Sequence, residues 1–267
     1  MKEIEKITSR DNPRLANVRK VRDGKVPERV FIEGRRLVEE ALRSAIAINE
    51  CFVIEGHVDR DLLNAIGMRT TRIAEIAEKV FATITDTKQP QGIILIAKRP
   101  KTSAEIIERS LGSAVLPLVI FLHEINNPSN LGALMRTAEA AGGGGVIVSK
   151  RSADVYSPKA LRAAMGSSFR LPVWENADFD EVLKWAKEGN LTATAADISA
   201  TTSYTDIDWR TPRLLVFGSE AHGLGNEKLE KIRDKISVPM ENGVESLNLA
   251  VSAGIILFEA KRSNSLS

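Results

Sequence analysis

The stretch LVIFLHEINNPSNLGALMRTA, residues 118–138, decides the fold class. It opens on five unbroken apolar residues, as a parallel strand buried on both faces does, passes through a polar loop, and leaves in a helical pattern from Leu131 to Ala141. Two later stretches repeat the design, LLVFGSEAHGL at 214–224 and ISVPMENGVESLNLA at 236–250. In open α/β sheets, loops at the carboxyl ends of buried strands are where ligands sit.

Outward from these stretches the whole chain alternates strand and helix. On the amino-terminal side the pattern predicts strands at Val30–Glu33, Cys51–Glu55 and Gly92–Ala97. Helices are expected at Arg35–Ser44, near Asp59–Ile66 and across Ile73–Phe81. The run Lys98-Arg-Pro-Lys-Thr-Ser103 breaks the apolar pattern and marks a boundary between residues 1–100 and a second domain over 113–267. Beyond it, strands are expected at Val115–Leu122, Val146–Ser149, Leu191–Ala196 and Leu214–Phe217, and a short extended piece at Ile236–Val238. Helices are expected at Leu131–Ala141, Pro158–Met165, Phe179–Ala186 and Leu247–Lys261, with Ser263–Ser267 a frayed tail.

Composition narrows the function classes. A chain of 267 residues with 43% hydrophobic side chains can bury one large core or two modest ones, so disordered and fibrous classes drop out. The longest apolar runs, Leu116–Leu122 and Gly254–Phe258, fall short of the roughly 20 residues a spanning helix needs. Met1–Arg10 shows no secretory signal, and the single cysteine, Cys51, fits a reducing compartment, so the expectation is cytoplasmic. One cysteine and three scattered histidines offer no metal site. Net charge is only +2, yet up to Arg36 eleven basic residues face six acidic ones. That bias suits contact with a polyanionic backbone, with Arg10, Arg14, Arg35 and Arg36 as candidates, although a solvated helix face would look the same.

The glycines weaken a nucleotide-triphosphate reading. Gly142–Gly145 follows a helix and precedes a strand, the reverse of a phosphate loop, and reads as a helix cap and turn. Gly218, Gly223 and Gly225 do follow a strand but lack the Lys-Ser/Thr pair of a Walker loop.

Together and in this order, the three stretches resemble the signature motifs of the SpoU (TrmH-type) RNA ribose 2′-O-methyltransferases of the SPOUT superfamily. The segment FIEGRRLVEEAL at 31–42 is similar to the small L30e-like substrate-binding domain that precedes the catalytic domain in many members. The resemblance implies an α/β trefoil-knot methyltransferase domain, S-adenosyl-L-methionine as methyl donor, structured RNA as substrate with rRNA favoured over tRNA, and a homodimer without metal or membrane. It also implies roles by position: Asn130, Arg136, Glu220, Ser246 and Asn248 in catalysis, and Phe217, Gly218, Val238, Met240 and Leu247 around the methyl donor.

Those residue types suit the reaction. Transfer to a ribose hydroxyl is an in-line displacement that needs alignment and charge stabilisation rather than a nucleophilic side chain. The fork of Arg136 can clamp the phosphate next to the target ribose; a guanidinium stays protonated, so the proton is expected to leave through phosphate, Ser246 or water. Asn130, Ser246 and Asn248 could equally be turn or cap residues, and Glu220 and His222 solvent-exposed loop residues. A catalytically silent RNA-binding factor of the same fold remains the alternative of a different class.

Overall fold

The computed structural model describes residues 4–112 and 114–265. In chain order the elements are β1 (Glu5–Ile7), α1 (Pro13–Arg22), β2 (Arg29–Glu33), α2 (Arg35–Arg43), β3 (Ile48–Ile54), α3 (Arg60–Gly67), β4 (Ile73–Ile76), α4 (Glu78–Phe81) and β5 (Ile93–Lys98). There follow α5 (Ala104–Leu111), β6 (Leu116–Leu122), α6 (Pro128–Ala141), β7 (Gly143–Ser149), α7 (Pro158–Ala164) and β8 (Val173–Ala177). The chain ends with α8 (Phe179–Glu188), β9 (Thr192–Ala196), β10 (Arg213–Phe217), α9 (Asn226–Glu230), β11 (Asp234–Ile236) and α10 (Leu249–Ser265).

Two compact units emerge, and they do not follow the expected contiguous division. The first comprises residues 1–101 together with 155–170; the second comprises 102–154 and 171–267. The first unit is built on a five-stranded sheet ordered β1-β4-β3-β5-β2, with β3 and β2 antiparallel to β5. Leu15, Val18 and Val21 of α1 pack against Phe31, Phe52 and Ile94 in its core. Segment 155–170 joins this unit through buried Tyr156, Ala160 and Leu161, with Arg162 paired to Asp86 at 2.7 Å and Arg170 to Glu40 at 2.5 Å. Ile73–Phe81, expected as one helix, divides into strand β4 and helix α4.

The second unit carries a six-stranded, wholly parallel sheet ordered β11-β9-β10-β6-β7-β8. Its central strands are buried on both faces, which is why 118–122 and 214–217 read as continuous apolar runs. From β6 the chain steps outward through β7 and β8, then begins again on the other side with β9 and β10. The order therefore reverses between β6 and β10, the place where such sheets open a crevice. Only Gly142 of the glycine run caps a helix, with φ +91°; the rest lies in β7. A Cβ at Gly144 would come within 2.8 Å of Leu111, so α5 can lie close on that strand.

Buried Arg213 ties three strands together, donating to Thr194 Oγ1 at 2.8 Å and Asp234 Oδ2 at 3.0 Å. After β11 the chain runs beside the loop following β9, where Ser237 N donates to Thr202 O and Tyr204 N donates to Ser237 O, both at 2.9 Å. Residues 241–248 are exposed. Then α10 returns along α6, with Lys261 Nζ donating to Ala140 O at 3.1 Å. This helix continues to Ser265 beyond its expected end at Lys261; residues 266–267 lie outside the described ones.

Candidate active site

The crevice is assembled from the three sequence stretches. His123 N donates to Phe217 O at 2.8 Å, so the loops after β6 and β10 leave the sheet side by side. Asn127 caps α6 by accepting Ser129 N at 2.9 Å, and Pro128 fills the first helical turn, where a missing N–H costs nothing. Capping is thus done three residues before Asn130, whose side chain is left to donate from Nδ2 to Glu220 Oε1 at 2.9 Å. Asn248 does both jobs: its Oδ1 accepts Ala250 N at 2.9 Å at the start of α10, and its Nδ2 donates to Asn130 Oδ1 at 3.4 Å. One hydrogen-bonded row, Asn248–Asn130–Glu220, joins residues 118 and 90 positions apart in the chain.

Two cavities meet at this row. The larger, about 710 Å³, is lined by Phe217, Gly218, Val238, Met240, Ser246 and Leu247, together with Asn130, Glu220 and Asn248. Asp197, beyond β9, and Glu245 add carboxylates to its wall; sequence reading passed over both, although Asp197 occupies the same strand-end position as the residues it singled out. The second, about 530 Å³, is lined by Glu124, Asn126 and Asn127 and shares Asn130, Glu220 and His222 with the first. Gly218 is required at the junction, since a Cβ there would lie 2.1 Å from the carbonyl carbon of Gly223.

Other expected residues are placed elsewhere. Arg136 is exposed on α6 and lines neither cavity. Six residues beyond Asn130, a helix of 3.6 residues per turn turns it well away from that side chain. In the first unit, Arg14 is half-buried and committed to its own fold, pairing with Glu50 at 3.0 Å and Glu5 at 2.6 Å over the Phe52 ring. Arg35, Arg10 and Arg36 are exposed, Arg35 paired with Asp59 and Glu39 and Arg10 near Asp11 at 3.9 Å. A charge census along the sequence cannot register carboxylates contributed from β3. Among the described residues no group of His, Cys, Asp and Glu could hold a metal ion, and no helix is long and apolar enough to cross a membrane.

Residues 117–258 match the SpoU rRNA methylase family model, and residues 31–103 match the model for RNA 2′-O ribose methyltransferase substrate binding. The chain belongs to the SpoU rRNA methylase family. It is 30% identical to mitochondrial rRNA methyltransferase 3A of Danio rerio, over 97% of this chain and 70% of that protein. It is 32% identical to 23S rRNA (guanosine(2553)-2'-O)-methyltransferase RlmP of Bacillus subtilis, over 86% and 88%. An AdoMet-bound rRNA methyltransferase from Sinorhizobium meliloti superposes with a TM-score of 0.83 at 27% identity, over 97% and 98%. This SpoU chain is accordingly an S-adenosylmethionine-dependent RNA ribose 2′-O-methyltransferase with the family's trefoil-knotted α/β domain and a separate substrate-binding unit. The larger cavity fits the methyl donor: its volume lies in the roughly 300–1,000 Å³ range of small-molecule sites, and three carboxylates line a space that must accept a sulfonium cation.

Proposed function

We propose that the chain methylates a ribose 2′-hydroxyl in ribosomal RNA, as a cytoplasmic homodimer, with Asn130, Glu220, Ser246 and Asn248 handling the ribose. The hydrogen-bonded row at the seam of the two cavities carries this reading. It stands where a sugar entering from the smaller cavity would meet a donor held in the larger one. The donor supplies an electrophilic methyl group on a positively charged sulfur. Phe217, Gly218, Val238, Met240 and Leu247 would hold it through backbone and apolar contacts, with Asp197 and Glu245 offering carboxylates to its polar ends.

The side chains then have distinct tasks. Glu220 orients the Asn130 amide, whose oxygen is in turn fixed by Asn248, so the groups meeting the ribose are set before it arrives. Ser246, exposed on the third loop, offers a hydroxyl at the same rim. Arg136 meets RNA phosphate as a fixed positive charge from outside the cavity. Dimerisation has its support in α10: Val251 and Phe258 lie seven residues apart on one helix face and are 51% and 49% exposed, with Val244 at 50% just before them. A reducing compartment suits the buried, free thiol of Cys51. The preference for ribosomal RNA rests on relatives whose own substrates are of that class.

Mapping ribose methylation across total RNA from cells with and without the protein tests the substrate. The expected outcome is loss of methylation at one or a few rRNA nucleotides. Loss confined to transfer RNA would overturn the rRNA assignment.

A further inference from the structure

We infer that Ser149 and Ser152, in the loop after β7, are positioning residues for methyl transfer, holding the loop after β6 in the conformation that presents Asn126, Asn127 and Asn130 to the RNA. This rests on the 2′-O-methylation reading and names residues outside the three signature stretches. β6 ends at Leu122 and α6 begins at Pro128, so the backbone between them belongs to neither. Its polar groups are taken up by the neighbouring loop. Glu124 N donates to Ser149 Oγ at 2.8 Å, Ile125 N to Ser152 Oγ at 3.1 Å, and Ala153 N returns a bond to Ile125 O at 2.8 Å. The two hydroxyls lie 3.3 Å apart, and Arg151 Nη2 donates to Glu124 Oε1 at 2.5 Å across the same junction.

Two observations give this clasp its task. Glu124 has φ +56° and Arg151 φ +66°, a left-handed region that non-glycine residues keep only where the surrounding structure imposes it. The imposed segment is also the wall of the smaller cavity: Glu124, Asn126 and Asn127 line it, and Asn127 then caps α6 three residues before Asn130. Buried Ile125 anchors the loop by apolar contact, but such contact is non-directional and leaves the backbone free to turn about it. The hydrogen bonds remove that freedom. Ser149 is itself buried, and Lys150 N donates to Ala177 O at 3.1 Å, so the clasp is fixed to the end of β8 and not only to the loop it holds. Neither serine lines either cavity, so both act through the asparagines. Without one of the hydroxyls a backbone N–H loses its acceptor, and the loop shifts to recover one. A shift of about 1 Å in groups that orient a substrate can cost about 10²-fold in rate.

The test compares the wild-type protein with Ser149→Ala, Ser152→Ala and Ser152→Thr, using undermethylated total RNA from cells lacking the protein. Expected is a single-turnover rate constant, at saturating enzyme, lower by roughly 10–100-fold in both alanine variants. A mere loss of folded protein does not move that constant. Ser152→Thr, which keeps the accepting hydroxyl, should stay within about threefold of wild type. The dissociation constant for S-adenosylmethionine, measured by calorimetry, should stay within about twofold in all three, as for groups acting on orientation rather than on donor binding. Should Ser149→Ala not fold, Ser152→Ala, at a half-buried position, decides alone. Alanine variants within about threefold of wild type, Ser152→Thr as slow as Ser152→Ala, or donor binding weakened in step with the rate would each overturn the positioning role and leave the 2′-O-methylation reading standing. Wild-type protein that binds the donor yet methylates no ribose in this RNA would take down that reading and this inference with it.

Discussion

His123, at the end of β6, shows how one side chain couples the site to stability. It is buried against Phe121 and Phe179, and its Nδ1 has no hydrogen-bond partner among the described residues. Burial holds the imidazole below its ordinary value; Glu124 opposes this, while Lys228 and Arg151 add to it. Below about pH 6.5 the unfolded chain therefore binds a proton that the folded chain refuses, so this contribution is complete above that pH and shrinks as pH falls. Urea midpoints should drop between pH 7 and pH 5, and His123→Phe should flatten the slope; an unchanged slope would show that another group is responsible. At this scale the sequence was legible in types more than in geometry. Glu220 could be singled out as a carboxylate in the loop after a buried strand and Asn130 and Asn248 through the resemblance, whereas the direction of Arg136 depends on helix rotation and the engagement of Arg14 on a strand 36 residues away.

At the scale of elements, the turn after β10 bears the tightest steric demand in the site. Gly218→Ala would push a methyl group to 2.1–2.4 Å from the backbone of Gly223 and Leu224, atoms that cannot swing aside as a side chain could. The turn must open, which by the usual scale of overpacking costs about 1–3 kcal/mol. S-adenosylmethionine binding should weaken at least tenfold, as calorimetry would show; a variant that binds normally would mean the turn is not part of the donor site. The buried parallel strands were plain from their apolar runs, because both faces of each strand are covered. The weaker elements were not. β1 and α1 mix charge with every apolar residue, and Ile73-Ala-Glu-Ile76 alternates in a way that also fits helical spacing when Glu78–Phe81 follows. The glycines of β7 resembled a turn because nothing along the chain announces that α5 must lie against them.

For the whole molecule, the exposed apolar face of α10 gives the clearest expectation. Val251→Glu with Phe258→Glu should convert a dimer to single chains in sedimentation velocity, with each monomer still folded by circular dichroism. A wild-type protein that sediments as one chain at tens of micromolar would remove the dimer. The two-part organisation was legible from the break at Lys98–Ser103, but the return of 155–170 to the first unit was not: that segment has the composition of any helix-bearing stretch, and its partners Glu40 and Asp86 lie more than 70 residues back. The knot has no local signature at all and was readable only by resemblance. The return of 155–170 has a consequence for dissection. Because the chain passes between its units at 101–102, 154–155 and 170–171, no single contiguous stretch contains the whole of the first unit. A fragment ending at 101 would lack the buried Tyr156, Ala160 and Leu161 that complete it.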